Sequence, residues 1–70
     1  MSLLDARSGK EYIITRINTG DPALESFLFS RGCYSGEPIT VVSRKKHHCT
    51  VSIKDGRYNI DSDLAKAIMI

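Results

Sequence analysis

Residues 20–44 read GDPALESFLFSRGCYSGEPITVVSR, and this segment predicts a helix, a turn between two glycines and a strand. Asp21 is a good helix cap, and Pro22 already has the φ angle of a first helical residue, with no amide hydrogen to satisfy. Gly32 stands where a left-handed residue ends a helix. Gly36 follows four residues later. The two glycines therefore bracket a tight corner between the helix and the strand.

The predicted helix carries one apolar stripe and two side chains that do not fit it. Leu24, Phe27 and Leu28 have the i, i+3, i+4 spacing of one buried helical face. The next position on this stripe is Arg31, so we expect its methylene stem to lie over Phe27 or Leu28 while its charge reaches water or a carboxylate. Phe29 lies off the stripe, and we expect it to be partly exposed, either singly or as part of a partner site.

Strands are predicted over residues 12–17 and 37–43, because both segments are rich in β-branched and aromatic residues. In the first strand, Ile13 lies on one face, and Tyr12 and Ile14 lie on the other. Both faces therefore carry apolar groups. We expect this strand to be covered on both sides near its start.

A hairpin with a tight turn is predicted in the second half of the chain. Residues 49–54 alternate between apolar and polar side chains, which places Cys49 in the interior. Asp55 and Gly56 are a preferred central pair for a two-residue turn, and residues 57–61 return as the next strand.

The end of the chain predicts one helical turn and one short strand. Ser62 is the predicted cap of a turn through Ala65, and residues 67–70 form the last strand. About five short strands and one inserted α-helix favour a mainly β fold, a small SH3-like barrel, because closing the sheet limits exposed strand edges. All 70 residues form a single domain.

Composition indicates an ordinary folded domain. The hydrophobic fraction of 41% and the formal net charge of +2 do not by themselves indicate a nucleic-acid or membrane-surface protein. Cys33 and Cys49 could pair, but the first ten residues lack the pattern of a secretory signal, so we expect reduced thiols in the cytoplasm. The longest apolar runs are far shorter than the roughly 20 residues that a membrane helix needs.

The order of these landmarks resembles the ferrous iron transport protein A family, FeoA, over nearly the whole chain. The landmarks are Leu3 and Leu4 before Gly9, the Ile13–Ile17 strand, Leu28 with Gly32 and Gly36 in the family's leucine-glycine-turn-glycine signature, and residues 63–68. The segment SFLFSRGCYSGE, residues 26–37, is similar to the clostridium-like subset. Arg31 stands where the family usually has leucine. A related resemblance is to the SH3-like domain of iron-dependent repressors.

The resemblance implies a non-enzymatic, cytoplasmic accessory protein of ferrous iron uptake that binds or regulates the membrane ferrous-iron transporter FeoB. The chain would then lie at the inner face of the membrane through its partner. No nucleic-acid partner is expected, and a weak homo-oligomer is one possible state of the chain. The partner surface is expected at the helix end and the corner. Its candidate residues are Leu24, Phe27, Leu28, Phe29, Arg31, Gly32, Tyr34 and Gly36.

His47, His48 and Cys49 are three metal-ligand types in a row. Side chains alternate along a strand, so His47 and Cys49 would share one side and His48 would oppose them. Two ligands do not make a site. We therefore expect exposed histidines beside a buried cysteine and no cofactor, and the alternative is weakly held Fe²⁺ or Zn²⁺ that bridges two chains.

Residues 44–48, RKKHH, predict a solvated hairpin tip. The alternative function is a free-standing regulatory or RNA-binding barrel in which this run contacts phosphate. The run lacks interleaved aromatic residues on which bases would stack. Catalysis has little support, because the scattered carboxylates suit caps and turns and no phosphate-cradling glycine loop is present.

Overall fold

Two antiparallel sheets and three helices make up the protein in a computed structural model that describes residues 1–70. In chain order, the elements are a 3-10 helix Leu3–Asp5, β1 Glu11–Ile13, β2 Arg16–Ile17, α1 Pro22–Ser30, β3 Pro38–Arg44, β4 His48–Ile53, β5 Gly56–Asp61, α2 Ser62–Ala67 and β6 Ile68–Met69. The larger sheet has the strand order β1-β3-β4-β5, and β2 pairs with β6 in the second. The fold is mainly β, as predicted, with one more strand and one more α-helix than expected.

The protein has one core of 13 buried apolar residues, to which both sheets and all three helices contribute. Its fully enclosed aliphatic side chains come from the 3-10 helix, the link between β1 and β2, both central strands and β6. They are Leu3, Ile14, Ile39, Val41, Val51 and Ile68. In β4 the predicted alternation is confirmed, because Cys49, Val51 and Ile53 are all buried. Neither α-helix is long and apolar enough to cross a bilayer.

The first predicted strand is in fact two short strands that belong to different sheets. The Ile14 N–H donates to the Glu37 carbonyl at 2.9 Å, and the Thr15 N–H donates to the Met69 carbonyl at 2.8 Å. The chain therefore passes from one sheet to the other between these two residues. Cover on both sides is also wrong, because Ile14 is 1% exposed but Ile13 is 53% exposed. No element lies over the outer face of β1 at this point.

The turn between β4 and β5 is shifted by one residue from the prediction. Ile53 pairs with Gly56, so Lys54 and Asp55 are the central residues. Lys54 takes a left-handed φ of 53°, which the first central residue of a two-residue hairpin turn requires. Gly56 is needed for space instead, because a Cβ there would lie 2.7 Å from the Cζ of Tyr58 and would also clash with its hydroxyl.

The last helix is longer than the single turn that was predicted, and it begins with a different cap. Asp61, rather than Ser62, accepts the Leu64 N–H through its side chain, at 2.8 Å. The helix then continues to Ala67, which leaves only Ile68 and Met69 for the last strand. A carboxylate competes well with a hydroxyl for this position, so both residues were reasonable caps.

Candidate partner-binding site

Helix α1 is held mainly at its two ends. The Asp21 carboxylate accepts the N–H groups of Ala23 and Leu24 at 3.0 and 3.4 Å, as predicted for its cap. At the other end Gly32 has the predicted left-handed φ of 84°, and the Cys33 N–H donates to the Leu28 carbonyl at 2.9 Å. These contacts turn the chain sharply into the corner that precedes β3.

The body of α1 is mostly exposed, which differs from the predicted buried stripe. Leu28 is the only buried residue of the nine, and Leu24 is half-buried. Phe27 is 46% exposed, so its placement on a buried face is wrong, whereas Phe29 is 65% exposed, as expected. The spacing identified one helix face correctly, but the barrel is too small to cover all of it.

Four side chains from α1, the corner and the β4–β5 turn form a patch that we call the corner surface: Phe29, Arg31, Tyr34 and Lys54. The rings of Phe29 and Tyr34 lie 4.7 Å apart with an interplanar angle of 31°. The Lys54 ammonium lies 5.6 Å from the Tyr34 ring centroid and forms an ion pair with Glu37 at 3.2 Å. Hydrogen bonds to Glu37 and then to Tyr34 raise the pKa of Lys54, so the positive charge of this surface is maintained.

Arg31 lies over Phe27 as predicted, with its guanidinium carbon 4.8 Å from the ring centroid. It is exposed and has no carboxylate partner, because the one ion pair of the chain joins Lys54 to Glu37. A cation over an exposed aromatic ring contributes roughly 0.5–1 kcal/mol. Arg31 therefore presents both an aromatic stack and an uncompensated charge to solvent.

A groove of about 430 Å³ separates α1 from β5, and we call it the edge groove. Phe27, Leu28 and Arg31 line it from α1, while Arg57 and Tyr58 line it from β5. A second depression of about 520 Å³ lies over the corner surface, and Arg31 lines both. The two concave regions therefore meet at the end of α1.

The structure brings together six of the eight predicted partner-binding residues. Phe27, Leu28 and Arg31 line the edge groove, and Phe29, Arg31, Gly32 and Tyr34 line the neighbouring depression. Leu28 and Gly32 are buried and shape the site from below. Leu24 and Gly36 line neither region. That any of these residues contacts a partner stays a prediction.

Sequence reasoning missed the contribution of the second hairpin to this site. Lys54, Arg57 and Tyr58 line the two regions but were assigned only to the two strands of the hairpin. The Asp55-Gly56 pair was the one sequence signal for this region, because it predicted where the chain turns back as the second strand of the hairpin. Nothing in the local pattern indicated that the returning strand would lie beside α1.

The residues proposed as metal ligands do not form a metal site within one chain. His47 and His48 are exposed, but Cys49 is 4% exposed and belongs to the core. Burial raises the pKa of Cys49 although the charge of Arg44 opposes this, so a thiolate is disfavoured. No group of three or more histidine, cysteine or acidic residues is arranged to hold a metal ion.

Both cysteines are free and buried, so they are not paired. Cys33 forms part of the floor of the edge groove, and burial raises the pKa of its thiol to about 11. At neutral pH it is therefore a protonated, apolar side chain. It supports the end of α1 and is not a reactive group.

The basic hairpin tip lies where it was predicted, between β3 and β4, but Arg44 is a structural residue. Its guanidinium donates to the carbonyls of Leu3 and Ala6 at 3.1 and 2.8 Å. These bonds satisfy groups at the end of the 3-10 helix. Lys45 and Lys46 remain as the free charges of the tip, which reduces the phosphate-binding capacity expected from the sequence.

The fold and this surface define a small barrel whose one exposed helix and corner are suited to binding another molecule. Solved structures of similar proteins support the fold. A manganese-dependent transcriptional repressor matches with a TM-score of 0.86 and 24% identity, over 97% of this chain but 39% of its own length. The chain thus spans about two fifths of that repressor.

Two FeoA structures also match. An iron uptake regulatory protein, FeoA, has a TM-score of 0.85 and 23% identity, over 97% of this chain and 91% of its own. FeoA of Stenotrophomonas maltophilia, in complex with zinc and described as an SH3 domain protein, has a TM-score of 0.87 and 16% identity, over 99% and 87%. The predicted SH3-like fold is confirmed.

The sequence itself shows the family. The FeoA domain family matches residues 1–70, so the chain belongs to this family of iron-transport proteins, as its landmarks suggested. No curated protein matches the sequence at a significant level.

Proposed function

We propose that this chain is a cytoplasmic accessory protein of ferrous iron uptake that binds the membrane ferrous-iron transporter FeoB. Membership of the FeoA domain family over residues 1–70 supports a role in ferrous iron uptake. The Stenotrophomonas maltophilia FeoA is itself described as a candidate activating factor of bacterial ferrous iron transport. Binding to FeoB would place the chain at the inner face of the membrane.

The exposure of α1 is the observation that carries the proposal. Phe27 and Phe29 are 46% and 65% exposed on a helix that buries one residue. Aromatic side chains, phenylalanine included, and arginine are enriched at protein interfaces relative to the rest of the surface. The corner surface adds Tyr34 and Lys54 next to them, so the aromatic and basic groups form one contiguous patch.

The proposed role is binding without catalysis. Both thiols of the chain, Cys33 and Cys49, are buried, and burial raises the pKa of each, so both are protonated at neutral pH. The raised pKa of Lys54 keeps that amine charged, which disfavours it as a nucleophile or base. The corner surface therefore offers recognition groups and no activated reactive group.

RNA binding by the hairpin tip is the competing function, and the structure gives it less support. Arg44 is committed to the carbonyls of Leu3 and Ala6. This alternative is tested by replacing Lys45 and Lys46 alone, because replacing Arg44 would also disturb the fold. RNA binding through these two charges would weaken with rising salt.

Capture of the transporter tests the proposal. The immobilised chain is incubated with a detergent extract that contains FeoB, and the retained transporter is quantified. We expect the intact chain to retain FeoB and Phe29→Ala to retain about tenfold less, because truncating a central aromatic residue often costs that much affinity.

Val42→Ala is the matched control, since Val42 is also an exposed apolar residue, at 38%, but lies on β3. It should retain FeoB as well as the intact chain does. If the intact chain retains no FeoB, or if Phe29→Ala and Val42→Ala behave alike, binding through this surface is wrong.

A further inference from the structure

We propose that the edge groove binds an extended segment of the transporter, with one acidic and one apolar residue, as an additional strand along β5. This inference rests on the proposed function and specifies how the partner is held. β5 is the last strand of the four-stranded sheet, so one of its edges has no strand partner. An unpaired edge offers N–H and C=O groups to which an extended chain can hydrogen-bond.

The register of the hairpin shows which backbone groups face away from β4. Residues of an antiparallel strand alternate between those bonded to the partner strand and those that point outward. The Ser62 N–H donates to the His47 carbonyl at 3.1 Å, which assigns the even-numbered residues to the β4 side. Arg57 and Asn59 therefore point their N–H and C=O groups outward, and no loop backbone bond reaches them.

The edge groove follows this free edge. Its lining includes residues 57–61 in succession, although neighbouring side chains on a strand point to opposite faces. A groove lined in this way borders the edge backbone as well as one face of the sheet. β5 has six residues, and a strand of that length extends about 20 Å, which is enough for a stable pairing with a partner segment.

The apolar lining selects an apolar side chain in the partner segment. Phe27 from α1 and Leu64 from α2 both line the groove and keep part of their surface exposed. Beneath them the groove reaches core side chains that include Val51 and Ile68. One side chain of an added strand would cover this apolar surface, while the next would point away.

The charges select the acidic residue and its position. Arg31 and Arg57 line the groove without an ion pair. Asp61 lines the far end of the groove, where it caps α2. A partner carboxylate is therefore attracted to the Arg57 end and repelled from the Asp61 end, which also fixes the position of the added strand.

Hydrogen–deuterium exchange of the intact chain, with and without purified FeoB in detergent, tests the location. We expect FeoB to slow exchange at the amides of Arg57 and Asn59. The same residues should exchange quickly in the free protein, because their N–H groups face outward. Exchange at Ile13, on the opposite edge of the sheet, should not change.

Matched variants test the mechanism. Asn59→Pro removes the outward N–H and should weaken FeoB capture by about tenfold relative to Asn59→Ala, which truncates the same side chain but keeps the N–H. Ile13→Pro is the control on the other edge strand, where an N–H also faces outward. Proline is tolerated on edge strands at such positions.

Arg57→Glu gives an independent result if proline disturbs folding. It should weaken FeoB capture about tenfold, because it reverses a charge that attracts the partner carboxylate. Lys46→Glu, which reverses an exposed charge at the hairpin tip, is the control and should have no effect. Normal capture by both Asn59→Pro and Arg57→Glu, without protection of the β5 amides, would overturn strand addition and leave the proposed function intact. Absence of capture by the intact chain would overturn both.

Discussion

Helix α1 and strand β4 use their apolar residues in opposite ways. β4 lies between β3 and β5 in the sheet and buries three of its six residues by strict alternation. α1 buries one of nine residues and leaves both phenylalanines exposed. The strand is held along its whole length, but the helix is held by its cap and by the corner after it. We infer that β4 carries stability, whereas α1 carries the proposed binding surface.

The largest expected effect separates these two roles directly. Ile53 of β4 is 3% exposed, so Ile53→Ala should lower the free energy of unfolding by about 3 kcal/mol through lost burial and the cavity left behind. Phe29→Ala removes a larger side chain but should cost less than about 1 kcal/mol, because that side chain is mostly in solvent. Urea unfolding curves of both variants measure the difference. Equal costs would contradict the division between core and surface.

The corner that anchors α1 should weaken at alkaline pH. The pKa of Cys33 is raised from 9.0 to about 11, so between these values the unfolded chain loses the thiol proton while the folded chain keeps it. The free energy of unfolding should therefore be unaffected below pH 9.0 and then fall by about 2 kcal/mol as the pH rises through this range.

Cys33→Ala controls for the tyrosines and lysines that titrate in the same range, because it removes only the thiol. Stability of the two proteins is measured by urea unfolding at each pH, and their difference reports Cys33. If the difference does not change with pH, the thiol does not titrate as its burial indicates.

The end of α1 gives a matched pair of glycine substitutions. Gly32 and Gly36 have similar left-handed φ angles of 84° and 91°. A Cβ on Gly32 would lie 3.0 Å from the Lys54 side chain, whereas one on Gly36 would meet nothing within 4 Å. We expect Gly36→Ala to cost about 1 kcal/mol from backbone strain alone, and Gly32→Ala to cost about 2 kcal/mol.

Thermal or urea unfolding of the two alanine variants measures this difference. A greater loss at Gly36 than at Gly32 would show that the Lys54 side chain moves aside from the added Cβ at no cost, and would contradict the expected crowding at the end of α1.

The smallest effect is expected for Arg31→Leu. The guanidinium contacts the Phe27 ring but has no carboxylate partner, so the substitution exchanges one exposed contact for another. Stability should stay within about 0.5 kcal/mol of the unaltered protein. Urea unfolding at matched pH provides the measurement, and a loss well beyond about 1 kcal/mol would reveal an ion pair that Arg31 holds.

Features that depend only on neighbouring residues could be predicted from the sequence. Asp21 and Pro22 start α1 and Gly32 ends it, because caps and left-handed turns are satisfied by hydrogen bonds and dihedral angles within a few residues. The alternation of β4 likewise indicated its buried face, because successive side chains of a strand point to opposite faces of the sheet. These are local preferences, and the family landmarks carry the same information.

Which apolar faces remain exposed depends on how distant segments pack against one another. Ile13 and Phe27 have ordinary buried-type spacing, yet both are exposed because no second layer covers them. Arg44 looked like one charge of a basic run, but the Leu3 and Ala6 carbonyls happen to lie within its reach. The edge groove has the same origin, because a helix and a strand that are distant in sequence meet there. Burial is set by what another segment covers, and a local pattern cannot specify that segment.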